Sequence, residues 1–195
     1  VVAEKKNHWD DKKQLGGHIW HTTGSGKTMT SFKAAQLIAA NHDAEKVIFL
    51  VDRKELGIQS LKEYRSFATG AETVQATENT DILMSKLKSP DIDNTLIVTS
   101  IQKLSNIARE DVANIEADLK IIQRKRMVII IDECHRSTFG DMLVDIKNTF
   151  KNALIFGFTG TPIQDLNAKK DSTTPTIFGD EIHRYTKNGR CCTVH

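Results

Sequence analysis

The sequence predicts an α/β fold in which a mostly parallel central sheet carries helices on both faces. Short apolar runs rich in β-branched residues recur along the 195 residues, and longer stretches with helical periodicity follow them. One run, Met127–Ile131, is apolar without interruption, which is typical of a central strand buried on both faces. The predicted strands cover residues 18–22, 47–52, 95–99, 127–132 and 153–159.

The stretches between these strands predict helices that pack on the sheet. Residues 27–41 carry an apolar stripe through Phe32 and Ile38, and residues 54–67 place apolar side chains at near-helical spacing. Further helical patterns are centred on residues 82–87 and extend over 109–126. We therefore divide the chain into an incomplete upstream segment (1–15), one α/β lobe (16–166), and a loop with a C-terminal tail (167–195).

Composition excludes several classes of protein. The formal net charge is +2, so there is no basic tail and any contact with DNA must be local. Cys134, Cys191 and Cys192 do not have the spacing of a metal site, which fits a reduced cytoplasmic setting. No apolar run is long enough for a membrane span, and the first residues do not resemble a signal peptide.

The first motif joins a strand to an amphipathic helix and predicts a phosphate-binding loop. Its glycines allow the backbone to turn N–H groups toward phosphate oxygens, and the helix adds its positive dipole end. Lys27 would reach the β and γ phosphates of ATP, and the Thr28 hydroxyl would ligate Mg²⁺. His21 stands where the strict pattern has glycine, and a glycine-rich turn that only caps a helix is the simple alternative. The predicted binding residues are Thr23, Gly24, Ser25, Gly26, Lys27 and Thr28.

The second motif is Asp132-Glu133, delivered by the apolar strand at its carboxyl end, where parallel sheets bind ligands. Two adjacent carboxylates there are costly unless a cation or water is present. Asp132 is suited to hold Mg²⁺ and Glu133 to orient and deprotonate an attacking water. The alternative is that both carboxylates only cap the next helix.

Three other strand ends carry short polar or basic groups, of the kind that bind a phosphate backbone. Taken one at a time, these short sequences are more typical of turns and solvated loops. They are Asp52-Arg53-Lys54, Ser100-Ile101-Gln102-Lys103 and Thr159-Gly160-Thr161-Pro162.

Taken in chain order, the phosphate loop, the Asp132-Glu133 motif and the three strand-end sequences resemble motifs I, Ia, Ib, II and III of superfamily 2 helicases. The flanking sequences Gly16-Gly17-His18-Ile19-Trp20-His21 and Asp132-Glu133-Cys134-His135-Arg136-Ser137 resemble the restriction subunit of type I restriction-modification enzymes. The resemblance covers residues 16–186 and implies the first RecA-like lobe of a DNA translocase. The tail from Lys187 does not share it.

The resemblance also implies roles for single residues. ATP hydrolysis with Mg²⁺ would be carried out by Lys27, Thr28, Asp132 and Glu133. His135, Thr159 and Thr161 would couple hydrolysis to movement on DNA. Arg53, Thr99 and Gln102 would contact the backbone of one DNA strand.

The expected partners are double-stranded DNA, the specificity and modification subunits, and a second motor lobe. The sequence has no counterpart of that second lobe, of the nuclease domain or of an upstream adenine-reading segment, so we expect a fragment with weak hydrolysis or none. The alternatives are a lobe of another superfamily 2 DNA or RNA helicase, and a nucleotide-binding module without turnover. A P-loop kinase or GTPase is disfavoured because no Asn-Lys-x-Asp word is present.

Overall fold

The computed structural model describes residues 16–22, 24–42, 44–52, 75–77, 79–109, 112–134, 140–161, 174 and 178–185. Within these ranges it contains seven strands and five α-helices. The strands are β1 Gly17–His21, β2 Lys46–Val51, β3 Gln75–Ala76, β4 Leu96–Ser100, β5 Met127–Ile131, β6 Ala153–Thr159 and β7 Glu181–Tyr185. The helices are α1 Lys27–Ala40, α2 Thr80–Lys88, α3 Ile101–Arg109, α4 Val112–Gln123 and α5 Gly140–Thr149.

The strands form one sheet in the order β3-β4-β2-β5-β6-β1-β7, and each neighbouring pair runs parallel. The predicted parallel sheet is therefore confirmed. All carboxyl ends lie at one edge of the sheet, which is the edge where ligands bind in parallel α/β folds. This edge collects the ends of β1, β5 and β6, the strands that precede the predicted motifs.

Two apolar clusters fill the two faces of the sheet. Alternate residues of β2 and β5 point to opposite faces, so each strand contributes to both clusters. Phe32 of α1 packs edge-on against Phe49 of β2 on one face, with ring centroids 5.4 Å apart. Side chains of α2, α3, α4 and α5 pack on the other face. None of the described helices is long and apolar enough to cross a membrane.

The helix α3 was not predicted. Ser100 through Lys103 suggested a polar strand end, yet α3 begins directly after Ser100, and the Ser100 hydroxyl accepts a hydrogen bond from the Lys103 N–H at 3.4 Å. Ile101, Leu104 and Ile107 are buried, which is the spacing of one helical face. Arg109 is the last residue of α3, and the helix predicted over 109–126 begins later, at Val112. The helix predicted over 54–67 lies outside the described residues.

The strand β7 also differs from the prediction, which assigned residues 181–185 to a loop and tail. These residues form a parallel edge strand beside β1. Their sequence, Glu-Ile-His-Arg-Tyr, is mixed in polarity, and the side chains are only partly buried. An edge strand whose side chains are only partly buried needs no continuous apolar run, and this explains why its sequence signal was weak.

Candidate functional site

The loop between β1 and α1 has the backbone that the glycines predicted. Gly24 and Gly26 lie in the left-handed region with φ of 75° and 79°, and the Ser25 N–H donates to the Thr22 carbonyl at 3.1 Å. A Cβ on Gly26 would meet nothing within 4 Å, so the backbone conformation and not space calls for glycine. Gly26 forms no side-chain cap to α1, which leaves the first N–H groups of the helix available to an anion.

Lys27, the first residue of α1, is buried and contacts both predicted carboxylates. Its Nζ donates to Asp132 Oδ1 at 3.2 Å and to Glu133 Oε1. The hydroxyl of Thr28 donates to Asp132 Oδ2 at 2.7 Å. The fold thus brings together two motifs that are about a hundred positions apart in the sequence. The cost of burying the Asp132 carboxylate is offset because the Lys27 ammonium and the Thr28 hydroxyl donate to its oxygens.

Asp132 and Glu133 leave the sheet in a tight turn after β5. The Asp132 N–H donates to the Leu50 carbonyl at 3.0 Å, which continues the sheet by one residue. Glu133 then adopts φ of +53°, and its N–H donates to Asp132 Oδ1 at 3.1 Å. A left-handed conformation at a residue other than glycine is uncommon and costs free energy, and such residues concentrate at functional sites.

Cys134 anchors this turn to β6. Its N–H donates to the Phe158 carbonyl at 3.0 Å, and the side chain is buried. Burial raises the pKa of the thiol far above its usual value, so Cys134 is a packing residue and not a nucleophile. A Cβ added to Gly157 would lie 2.8 Å from Cys134 Sγ, which shows how closely the turn packs against β6.

The Thr159-Gly160-Thr161 turn lies at the same edge, beside the phosphate loop. Thr159 is fully buried and pairs in register with Trp20 of β1. The Thr161 N–H donates to Thr159 Oγ1 at 3.1 Å, and the Trp20 indole N–H donates to the Gly160 carbonyl at 3.0 Å. The sequence predicted that Thr159 and Thr161 reach this edge, but it did not predict the contact with Trp20.

His21, the departure from the strict loop pattern, is buried against β6 and β7. Its ring centroid lies 5.6 Å from those of His183 and Tyr185, and its Nδ1 has no hydrogen-bond partner among the described residues. Burial first, and the positive potential of His183 and Lys27 second, lower the pKa of His21. His21 also lines an apolar groove of about 510 Å³ beside α1.

The predicted DNA contacts do not all reach a surface. Thr99 is fully buried, and its hydroxyl accepts a hydrogen bond from Thr77 at 2.7 Å, so its side chain is not placed to bind a DNA backbone. Gln102 is partly buried in the first turn of α3, and its Oε1 is without a hydrogen-bond partner in the described part of the chain. Arg53, Thr23 and His135 lie outside the described residues.

The donors at the site fit a nucleotide with magnesium. Thr28 and Asp132 offer hard oxygen atoms, and Lys27 and the helix N-terminus offer positive charge to phosphates. The described residues contain no cluster of three or more His, Cys, Asp or Glu side chains that could hold a metal alone. Magnesium does not need one, because it is usually held by one or two protein groups together with phosphate and water.

The sequence of this chain is similar to those of proteins from a known family. The family model of the SWI2/SNF2 ATPases matches residues 1–189. The C-terminal part of the MpnIIP type I restriction endonuclease subunit from Mycoplasma pneumoniae is 45% identical over 151 residues, covering 77% of this chain and 71% of that C-terminal part. The chain belongs to the SWI2/SNF2 ATPases and to the type I restriction endonuclease subunits. The family resemblance inferred from the motifs is therefore confirmed.

Two longer relatives and two solved structures extend this result. The type I restriction endonuclease subunits SauCOLORF180P of Staphylococcus aureus strain COL and MjaIXP of Methanocaldococcus jannaschii are 48% and 30% identical, each over 87% of this chain. The chain spans only 17% and 15% of their lengths. A nuclease-deletion mutant of the Type ISP enzyme LlaGI in complex with a DNA substrate mimic has a TM-score of 0.60 at 20% identity, covering 95% of this chain and 19% of that one. The Hef helicase domain of Pyrococcus furiosus scores 0.55 at 18% identity, covering 95% and 38%. Both structures support the helicase-like fold.

Proposed function

We propose that this chain is the ATP-binding lobe of a motor that translocates double-stranded DNA within a type I restriction enzyme. The observation that carries the proposal is the contact of Lys27 with Asp132 and Glu133 at the carboxyl edge of the sheet. The restriction endonuclease relatives and the DNA complex of LlaGI support the choice of DNA as the track.

The phosphate chain of ATP would lie on the loop from Gly24 to Gly26, at the N-terminus of α1. Lys27 would exchange its carboxylate partners for the β and γ phosphates, an exchange of one anionic partner for another that keeps its charge compensated. Thr28 and Asp132 would hold Mg²⁺, which when bound neutralises charge on the phosphates. The hydrogen bond between Thr28 and Asp132 keeps these two oxygen donors adjacent.

Glu133 is the candidate general base. Its side chain is 27% exposed, so water can reach it, and the left-handed turn holds it next to Asp132. The ion pair with Lys27 occupies Glu133 until Lys27 turns to phosphate. This pairing favours a second candidate function, nucleotide binding without turnover by the lobe alone, because the Glu133 carboxylate contacts Lys27 in place of an attacking water.

Coupling to DNA would pass through the Thr159-Gly160-Thr161 turn together with His135. Gln102 and Arg53 remain candidates for contacts to a DNA backbone, whereas the buried Thr99 does not. A second motor lobe would complete the ATP site, and specificity and modification subunits would anchor the complex on DNA. Cytoplasmic localisation follows from such partners.

Calorimetric binding of MgATP to the purified chain tests the proposal. Lys27→Ala should weaken binding by about 10–100-fold, because a charge-assisted hydrogen bond to phosphate contributes about 1.5–3 kcal/mol. Lys33→Ala is the matched control, since Lys33 is an exposed lysine on the same helix. It should bind within about twofold of the wild type, as expected for a charge screened by solvent.

Equal losses in the Lys27 and Lys33 variants would indicate nonspecific attraction and would refute the phosphate loop. Double-stranded DNA added to the same samples then separates the two candidate functions. DNA-stimulated release of phosphate supports a motor lobe, and its loss in Glu133→Gln assigns the base. Binding without release supports the module without turnover.

A further inference from the structure

Trp20 occupies a central position among the three strands that end near the phosphate loop. It is the penultimate residue of β1, and it pairs in register with Thr159 of β6 on one side and Arg184 of β7 on the other. His21 and the phosphate loop follow it directly. A shift of the loop would therefore reach Trp20 through His21, the last residue of β1.

The side chain of Trp20 reaches from β1 to the turn after β6. Its indole N–H donates to the carbonyl of Gly160 at 3.0 Å in a partly buried contact. Gly160 lies between Thr159 and Thr161, which are themselves joined by the hydrogen bond from the Thr161 N–H to the Thr159 hydroxyl. The indole is thus bonded to the middle of a turn that is already closed on itself.

The ring is held in place from the other side by β7. The Arg184 guanidinium lies 4.3 Å from the centroid of the Trp20 ring, a distance at which a cation is attracted to the face of an indole. Glu181 holds that guanidinium through two hydrogen bonds, at 2.8 and 2.9 Å. Such two-point pairs fix orientation, so the indole has a defined direction toward Gly160.

We propose that Trp20 is a positioning residue that ties the Thr159-Gly160-Thr161 turn to the strand of the phosphate loop, so that nucleotide binding displaces both together. The inference rests on the proposed function, in which this turn couples ATP to DNA. It adds a physical link that the motifs do not contain: an indole hydrogen bond across β1 and β6, steadied by an arginine and a glutamate of β7.

The first test needs no nucleotide. Amide hydrogen exchange by NMR should be about tenfold faster at Thr161 in Trp20→Phe than in the wild type, because the ring stays while the donor to Gly160 is lost. Amides of β5, on the far side of β6, should exchange at the same rate in both proteins. Unchanged exchange at Thr161 would overturn the inference, and so would faster exchange across the whole sheet, because that indicates general destabilisation.

The second test uses the fluorescence of Trp20. The chain has two tryptophans, so Trp9→Phe leaves Trp20 as the single reporter. In this background MgATP should change the Trp20 emission with the midpoint found by calorimetry, and adding Lys27→Ala should shift both midpoints together. Calorimetric binding with constant Trp20 emission would overturn the inference and leave the proposed function intact. Absence of binding would refute the proposed function. The hydrogen exchange at Thr161 would then still test whether Trp20 holds the Thr159-Gly160-Thr161 turn.

Discussion

Two buried lysines at opposite ends of the sheet are held in different ways. Lys27, at the carboxyl edge, is 6% exposed, and Lys46, the first residue of β2 at the amino edge, is 1% exposed. Lys27 donates to two carboxylates. Lys46 donates to a neutral backbone carbonyl, that of Asn94, at 2.7 Å. The same residue type therefore has a full countercharge at one end of the sheet and a dipole at the other.

Lys46, which donates to this backbone carbonyl, has a lowered pKa. Burial, assisted by repulsion from Lys125, lowers the pKa of Lys46 to about 8, although Asp91 and Glu45 oppose the change. Lys125 itself donates to the carbonyls of Lys88 and Ser89, so this corner compensates its ammonium groups mainly with dipoles. A buried lysine is suited to bind phosphate where its partners are anions that can be exchanged, whereas within the described residues Lys46 donates to a backbone carbonyl and not to a carboxylate.

The largest expected effect is on the magnesium dependence of nucleotide affinity, which should differ between variants at the carboxyl edge and at the amino edge of the sheet. Asp132→Asn should remove most of the gain in nucleotide affinity that Mg²⁺ provides, about 10–100-fold, because the neutral amide is a poorer partner for the cation. Calorimetry with MgATP and with ATP in EDTA measures this gain. Lys46→Met is the matched control, and it should leave both affinities within about twofold. A similar loss in the two variants would mean that the two ends are not functionally distinct.

A smaller effect concerns stability against pH. The pKa of Lys46 is lower in the folded protein than in the unfolded chain, so the unfolded chain binds more protons between pH 8 and 10.5. The folded state of the wild type should therefore gain free energy relative to Lys46→Met as the pH rises through this window. The gain is on the order of 2 kcal/mol. Urea unfolding at pH 7 and pH 9.5 measures it, and an equal pH dependence in both proteins would contradict the assigned cause.

The smallest effect involves a lysine at the surface. Lys88 pairs with Asp118 at 2.7 Å, and both side chains are about a third exposed. Lys88→Ala should cost less than about 1 kcal/mol of unfolding free energy, because solvent screens such a pair. The cost should shrink further in 0.5 M salt. A cost that salt leaves unchanged would show that Lys88 stabilises the fold through packing of its chain and not through charge.

The site and most of the sheet could be predicted because their signals are local. The predicted strand that contains β5 is an apolar run whose burial follows from composition, and the glycine-rich loop requires the left-handed backbone seen at Gly24 and Gly26. The rule that ligands bind at the carboxyl edge of a parallel sheet then predicted that Asp132 and Glu133, which follow β5, belong to the binding site.

Other features depend on contacts that no local pattern encodes. Nothing in the sequence near Trp20 indicates that its indole bonds to Gly160, because the two are joined only by the order of the strands. The burial of Thr99 depends in the same way on Thr77, a residue from a different part of the chain. The edge strand β7 was missed because its side chains are only partly buried and its sequence is mixed in polarity.

The order of the strands has a consequence for how the lobe is made. Among the described strands, β1 pairs with β6 and β7, so Gly17 finds its partner at Phe156. During synthesis, most of the lobe must be translated before β1, the strand that leads into the phosphate loop, can join a sheet. In contrast, β2 and β4 can pair much earlier. Contacts so distant in sequence are slow to form. We therefore expect the half of the sheet built on β2 to fold first and β1 to be inserted late, which makes the nascent chain dependent on protection from aggregation during that interval.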